Sequence, residues 1–339
     1  MDHRSNPLAL ASRLTGRLKK VAWLTVTMSL ALLLPAMAKA QGLGAAGLSN
    51  FPSDTEQVAY VNVAELRSSP NYYAIHRQLF DRRMDEFEMF MRGAGTDGEK
   101  DVDEILLGWR GGKLGSEDFF GVASGRFDPE HARQLAPQHG VTRVNYHGTP
   151  LYGVDAGDAN ADLYFTFLDE STAAFGRETD VKAMVDLHAG NGTALDSNSD
   201  FVSWENELDG AAPQWGIATG PAAAVQAAPW FAGQGKLRLD PATVMAPIKA
   251  VLYQVDWSTG FSARLSLVCQ KPENATALTQ LITLWKSAQA APTASGQPSI
   301  ARFIQSLQAQ ANGSRVEISA SGPVELVGQI IRGPESGDE

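Results

Sequence analysis

Hydrophobic and polar positions in the chain form short runs typical of β-strands, which alternate with stretches that repeat every three or four residues. Residues 58–63 (VAYVNV) predict a strand because β-branched and aromatic side chains suit a pleated, half-buried surface. After Ser69-Pro70, where proline suits the first turn of a helix, apolar residues recur at helical spacing and predict one apolar face. That face consists of Ile75, Leu79, Phe80, Met84, Phe87 and Met91.

The same criteria predict further elements along the rest of the chain. Strands are predicted at 104–109, 119–127, 141–154, 163–168, 215–219, 249–257, 261–270 and 315–319. Helices are predicted to begin at Asp128 and Lys271, and to cover 180–188, 201–208, 221–231, 300–311 and 324–331.

These elements follow one order, strand–helix–strand–strand–helix–strand, in both halves of the chain. A Pro-Glu pair begins a helix in each half, and Pro129 and Pro272 are 143 positions apart. This order is that of the split βαβ, or ferredoxin-like, unit. The sequence therefore predicts an α+β fold with two tandem split-βαβ units, at 57–210 and 211–333, whose antiparallel sheets carry helices on one face.

The N-terminal 40 residues have the three parts of a secretory signal peptide. Five basic side chains come first, residues 21–38 carry no charge, and Ala38-Lys39-Ala40 ends the segment. We expect cleavage after Ala40, with residues 41–56 forming a flexible mature N-terminus. The alternative is an uncleaved anchor at 21–38, which is at the short limit for a bilayer core about 30 Å thick. In both cases we expect export, to the periplasm or the medium.

Charge and cysteine content exclude several classes of function. The chain has 339 residues and a net charge of −10, with 38 acidic and 28 basic side chains. Removal of residues 1–40 takes away six basic residues and one acidic residue, which leaves a net charge of −15 and an acidic tail at 334–339. This excess argues against nucleic-acid binding, which needs a basic face. The single cysteine excludes a disulfide framework and a Cys-rich zinc site.

Motifs for catalysis or cofactor binding do not occur in a usable context. The G-x-G-x-x-G match at 42–47 follows the expected cleavage site, whereas a dinucleotide fingerprint needs a strand before it and a helix after it. Cys269 lies in an apolar predicted strand without a neighbouring cation, which favours a small buried side chain over a nucleophile. The sequence contains neither G-x-S-x-G nor H-E-x-x-H. We therefore predict no cofactor and no metal.

One acidic loop has part of a calcium-binding pattern. Asp158, Asn160 and Asp162 are spaced two residues apart, and Asp169 follows at the twelfth position. Leu163 stands where such loops have glycine, and it begins a predicted strand. A solvated turn is therefore favoured over a calcium site.

The first predicted helix carries more apolar side chains than a narrow stripe needs. The surplus lies among Met84, Phe87, Met89, Phe90 and Met91. An exposed apolar area of this kind often marks a partner surface, and ordinary packing against a sheet is the alternative.

Three segments carry a resemblance to a known group of proteins. Residues 51–70 (FPSDTEQVAYVNVAELRSSP), 101–109 (DVDEILLGW) and 187–204 (LHAGNGTALDSNSDFVSW) resemble exported bacterial proteins with repeated α+β units of unknown function. The resemblance covers most of the mature chain. It implies an exported α+β protein, but no activity and no site residues.

Together these features predict an exported, non-catalytic binding or envelope-assembly protein, whose partner is a protein or a small-molecule ligand. The alternative is a secreted or periplasmic hydrolase that uses carboxylates for acid–base chemistry, although sequence spacing singles out no pair of acids. Contact with a membrane is expected only if the N-terminal segment stays uncleaved, in which case the protein has a tethered structural role.

Overall fold

The computed structural model describes residues 42–70, 72–73, 91–93, 95–110, 119–139, 141–154, 163–208, 210, 212–220, 222–223, 240–257, 260–289 and 303–323. The helices are α1 (Leu43–Ala46), α2 (Val63–Ser68), α3 (Gly98–Asp101), α4 (Pro129–Leu135), α5 (Glu178–His188), α6 (Ser199–Leu208), α7 (Pro241–Met245) and α8 (Pro272–Gln289). The strands are β1 (Gln57–Asn62), β2 (Val102–Trp109), β3 (Phe120–Gly125), β4 (Thr142–Tyr146), β5 (Thr149–Val154), β6 (Leu163–Phe167), β7 (Thr172–Gly176), β8 (Gln214–Thr219), β9 (Ile248–Asp256), β10 (Phe261–Cys269), β11 (Gln308–Asn312) and β12 (Arg315–Gly322).

The twelve described strands form one sheet, in the order β11-β12-β10-β9-β8-β1-β2-β3-β7-β6-β5-β4. The two halves meet where β1 pairs with β8, with Ala59 opposite Gly216. Every neighbouring pair among these strands is antiparallel, whereas a βαβ unit needs a parallel pair. The α+β class and the antiparallel sheet are confirmed, but the prediction of two separate ferredoxin-like sheets is wrong.

Helices cover the sheet on both faces, so the expectation of helices on one face is also wrong. Ala59 and Val61 of β1 pack in a core cluster with side chains of α2, α4 and α8. Val58 and Tyr60 point to the other face, where they pack with α5 and α6. Since successive side chains of a strand alternate between faces, the nearly continuous apolar run of β1 serves two packed layers.

The segment expected to be a flexible N-terminus is packed into the core from Leu43 onward. Its buried side chains include those of Leu43, Leu48 and Phe51. The Glu104 carboxylate of β2 accepts a hydrogen bond from the Leu43 backbone N–H, which fixes the start of α1. Gly47, from the G-x-G-x-x-G match, is a packing residue, because a Cβ there would lie 2.4 Å from the Leu106 side chain.

Two other segments differ from their predictions. Residues 141–154, predicted as one strand, form the β4–β5 hairpin, in which His147 and Gly148 have φ values of 49° and 87°. Two consecutive positive φ values are typical of the tight turn that joins antiparallel strands. The helix predicted at 300–311 is wrong for its last residues, because Gln308–Asn312 form β11 and pair with β12.

Several predicted features lie outside the described residues. They are the signal segment 1–40, most of the first predicted helix, most of 221–231, residues 324–331 and the acidic tail 334–339. Within the described part of the chain, no helix has the length and apolar content needed to cross a membrane.

Candidate ligand cavity

A cavity of about 410 Å³ lies between α7, α8 and the face of the sheet formed by β8, β9, β10 and β12. Its lining is aliphatic and aromatic over most of its surface. The lining residues on the sheet are Gln57, Ile217, Ala218, Ile248, Val251, Tyr253, Phe261, Ala263, Arg264, Leu265, Leu267, Ile318 and Ala320. The residues on the opposite side are Ala223, Val244, Met245, Leu278, Leu281, Ile282, Trp285, Phe303 and Leu307.

The sequence builds this cavity by strand alternation on one side and by helical spacing on the other. Val251 and Tyr253 of β9 lie two residues apart and therefore project to the same face, opposite Leu267 and Leu265 of β10. Helix α8 contributes Leu278, Leu281, Ile282 and Trp285 at three- and four-residue steps. The helix begins with Pro272 at a first-turn position, as the sequence predicts.

The cavity exists because small side chains of the sheet lie opposite α8. Ala263 of β10 is directly opposite Ala320 of β12, and both line the cavity. Protein interiors are otherwise packed so closely that few voids exceed the size of a water molecule. At about 410 Å³ the space falls within the range of roughly 300–1,000 Å³ that is typical of small-molecule sites.

Tyr253 supplies a hydroxyl group to this apolar space. Its ring lies against Gly216 of β8, where a Cβ would be 2.4 Å from the ring carbon atoms Cε1 and Cζ and 2.5 Å from the hydroxyl oxygen. Glycine at position 216 therefore allows the ring to lie along the sheet. Burial raises the pKa of the Tyr253 hydroxyl well above its ordinary value, so the group stays protonated and able to donate.

Two cations lie at the border of the cavity without pointing into it. Arg264 alternates with Ala263 and Leu265 along β10, so its exposed side chain projects to the opposite face of the sheet. The Lys286 ammonium group donates a hydrogen bond to the backbone carbonyl of Leu307. The described lining therefore brings no charged side-chain end into the apolar space.

An ion-pair cluster stands apart from the cavity lining and connects the end of β2 to α5. The Arg110 guanidinium contacts Asp180 through Nη1 and Asp54 through Nε, the latter at 2.9 Å, and lies 4.8 Å from the centre of the Phe120 ring. Burial raises the pKa of Asp180, and the Arg110 charge opposes this rise. Buried charges in folded proteins need a partner, and here the buried Asp180 carboxylate has the Arg110 guanidinium. We therefore assign the cluster a structural role.

Of the predicted calcium-loop residues, the structure describes only Asp169. Asp169 is exposed and accepts hydrogen bonds from the backbone N–H and hydroxyl of Ser171, each at 2.7 Å. Partial burial acts to raise its pKa, but these hydrogen bonds outweigh that effect and lower it. Its carboxylate thus caps its own turn. Asp158, Asn160 and Asp162 lie outside the described residues.

The candidate apolar partner surface is described only at one residue. Met91 is buried in the core, so at that position ordinary packing, and not an exposed surface, is observed. The other members, Met84, Phe87, Met89 and Phe90, lie outside the described residues.

Cysteine and histidine side chains can also act as nucleophiles or bind metal ions. Cys269 is buried with a free thiol, whose pKa is raised by burial, and the prediction of a small buried side chain is confirmed. His131, His147 and His188 are exposed. Among the described residues, no group of three or more histidine, cysteine or acidic side chains is arranged to hold a metal ion.

Comparison with known proteins adds little to this geometry. No protein-family model matches the chain, and no curated protein matches it. Among solved structures, crystal form I of TP0453 is similar over 84% of this chain and 96% of that chain, with 10% sequence identity and a TM-score of 0.49. The resemblance to exported bacterial α+β proteins stays a prediction.

Proposed function

We propose that this is an exported, non-catalytic protein that binds an apolar small molecule between α8 and the sheet. The single observation that carries this proposal is the cavity of about 410 Å³ and its aliphatic and aromatic lining. Each Å² of apolar surface that a ligand removes from water stabilises the complex by roughly 25 cal/mol. An apolar molecule of suitable length therefore gains more from this lining than a polar one.

The chemistry of the lining favours binding over hydrolysis. General acid–base catalysis needs a group whose pKa lies near the working pH within hydrogen-bond reach of the reacting bond. Tyr253, whose pKa is raised, does not meet this condition near neutral pH. The sequence-based alternative of a carboxylate-dependent hydrolase remains a prediction without a specific observation in its favour.

The two halves of the sheet are consistent with an internal duplication, which we include in the proposal. From the central β1–β8 pair outward, the strand orders are β1-β2-β3-β7-β6 and β8-β9-β10-β12-β11. In each half the last two strands form a hairpin that pairs with the third strand through its second member. Over these five strands both halves follow one connectivity, which is not that of a ferredoxin-like unit, and the first half adds β5 and β4 at its outer edge.

The same face of the sheet carries larger side chains in the first half. They are the aromatic members of one core cluster: Trp109, Phe119, Tyr152, Phe165, Phe167 and Phe175. The Tyr152 and Phe165 rings stack with centroids 5.1 Å apart. On the proposed duplication, one unit has an aromatic core on this face, and the other has smaller side chains such as Ala263 and Ala320 and a space for a ligand.

A neutral fluorescent probe, N-phenyl-1-naphthylamine, tests the proposal on the full-length expressed protein. Ile282 of α8 lines the cavity, whereas Leu284, two residues away on the same helix, is 56% exposed. We expect the wild type to bind the probe, Ile282→Trp to weaken binding at least about tenfold, and the matched control Leu284→Trp to leave it unchanged.

The outcomes separate the cavity from nonspecific adsorption. No probe binding by the wild type would overturn the proposed function, and so would equal binding by all three proteins. Thermal melts of the variants show whether they are folded. Intact mass of the protein recovered after secretion tests export, since cleavage after Ala40 leaves Gln41 as the first residue and retention of Met1 would reject cleavage.

A further inference from the structure

The cavity contains a hydroxyl group that the fold does not use. Within the described part of the chain, the Tyr253 hydroxyl makes no hydrogen bond, although the Tyr253 ring is partly buried against Gly216. Tyrosine hydroxyl groups in largely apolar surroundings usually have a hydrogen-bond partner. A ligand that supplies an acceptor atom at this point would satisfy the group.

The position of the hydroxyl defines which part of a ligand it can meet. On the same face of the sheet, Tyr253 lies next to Val251, two residues away on β9, and opposite Leu265 of the neighbouring strand β10. The other side of the space consists of the apolar side chains of α8. A ligand bound here therefore meets the Tyr253 hydroxyl on β9, the Gln57 side chain at the β1 edge of the lining, and hydrocarbon over most of the remaining surface.

The charge of the surroundings decides between an anionic and a neutral ligand. Arg264 projects to the opposite face, and the Lys286 ammonium group is bound to the Leu307 carbonyl. An ionised carboxylate inside the cavity would thus leave water without a compensating cation from the described residues, and this transfer carries a large penalty. The acidic net charge of −10 adds a repulsion that acts against anions.

We infer that the cavity takes a neutral, single-chain amphiphile, a long-chain ester or alcohol, whose oxygen accepts a hydrogen bond from Tyr253 and whose hydrocarbon chain lies against α8. This inference rests on the proposed function and names the ligand class for the same site. The Tyr253 hydroxyl determines where the oxygen atom of the ligand binds, and the aliphatic lining favours a ligand with a hydrocarbon chain. Ionised fatty acids, which share the chain but carry a charge, are poor ligands.

Displacement of the bound probe by matched ligands tests the inference. Methyl decanoate and sodium decanoate have the same hydrocarbon chain and differ in charge at pH 8. We expect the ester to displace the probe from the wild type at a concentration at least about tenfold lower than the carboxylate. Lowering the pH toward the carboxyl pKa should narrow this difference, because the protonated acid is neutral.

The substitution Tyr253→Phe removes the donor and retains the ring. It should weaken ester binding about fivefold, whereas Tyr73→Phe, at a tyrosine that is 72% exposed, should alter neither ester binding nor probe binding. Probe binding by Tyr253→Phe also shows that the cavity has kept its shape.

The results distinguish failure of this inference from failure of the proposed function. If the wild type does not bind the probe, the proposed function fails. If it binds the probe but prefers the carboxylate at pH 8, or if Tyr253→Phe binds the ester as tightly as the wild type, only the ligand class and the role of Tyr253 are overturned.

Discussion

Replacing Ala263 with isoleucine tests whether the space above β10 is empty in the ligand-free protein. Ala263 lines the cavity opposite Ala320, and both alanines leave room below α8. Isoleucine adds three carbon atoms, which stabilise the fold by about 2.4 kcal/mol at about 0.8 kcal/mol for each buried methylene. Loss of side-chain entropy removes about 0.5–1 kcal/mol of this gain. The free energy of unfolding should therefore rise by about 1.5 kcal/mol.

Urea denaturation of delipidated protein measures this change, with Ser262→Ile as the matched control. Ser262 is the preceding residue of β10, exposed on the opposite face, so its replacement reports the strand preference of isoleucine without the cavity. We expect Ala263→Ile to exceed this control in stability, with an unchanged dependence on urea concentration. It should also lose probe binding, because the added side chain occupies the same space.

A tightly packed site would give the opposite sign. Insertion of a larger side chain into a filled core costs about 1–3 kcal/mol through strained rotamers and shifted backbone. Destabilisation of Ala263→Ile by that amount, in a protein that still folds and binds the probe, would refute the reasoning from cavity volume.

Three further outcomes follow from individual contacts. Glu104→Ala should destabilise the fold by about 1–3 kcal/mol and make the chain near Leu43 susceptible to limited proteolysis, because the Leu43 N–H and the Tyr60 and Ser124 hydroxyl groups lose their acceptor. Unchanged cleavage would contradict this. Asp128→Ala should cost about 1 kcal/mol in urea denaturation, because Asp128 caps α4 by accepting a hydrogen bond from the His131 N–H at 2.9 Å. Burial raises the pKa of Tyr253, so this hydroxyl ionises at a lower pH in the unfolded chain than in the folded protein, and the free energy of unfolding should fall as the pH rises above about 10. In thermal melts at alkaline pH, Tyr253→Phe should show a smaller fall. An identical fall in both proteins would count against burial of the hydroxyl.

The sequence predicts the central strands and the two helix starts well, for local reasons. β1, β8, β9 and β10 have β-branched or aromatic runs that suit a buried sheet, and Pro272 begins α8 as expected. Gln308–Asn312 could not be assigned in the same way, because its Gln-Ala-Gln-Ala sequence favours a helix and pairing with β12 decides otherwise.

The sheet as a whole and the cavity depend on contacts between distant parts of the chain. Pairing of β1 with β8 joins segments more than 150 residues apart, and no local pattern reports it. The alternation in β9 and β10 identifies the residues that face inward, but not the volume that remains between them and α8. Ala263 and Ala320 indicate a cavity above the sheet only when β10 and β12 are known to be neighbouring strands.

Native mass spectrometry of the protein taken gently from its own cell envelope tests the central claim most directly. The account predicts a mature chain that carries one neutral, lipid-sized molecule, and loss of that molecule from Ile282→Trp but not from Leu284→Trp. A wild-type protein without a bound mass, or the same bound mass in Ile282→Trp, would contradict the claim that this cavity is a ligand site.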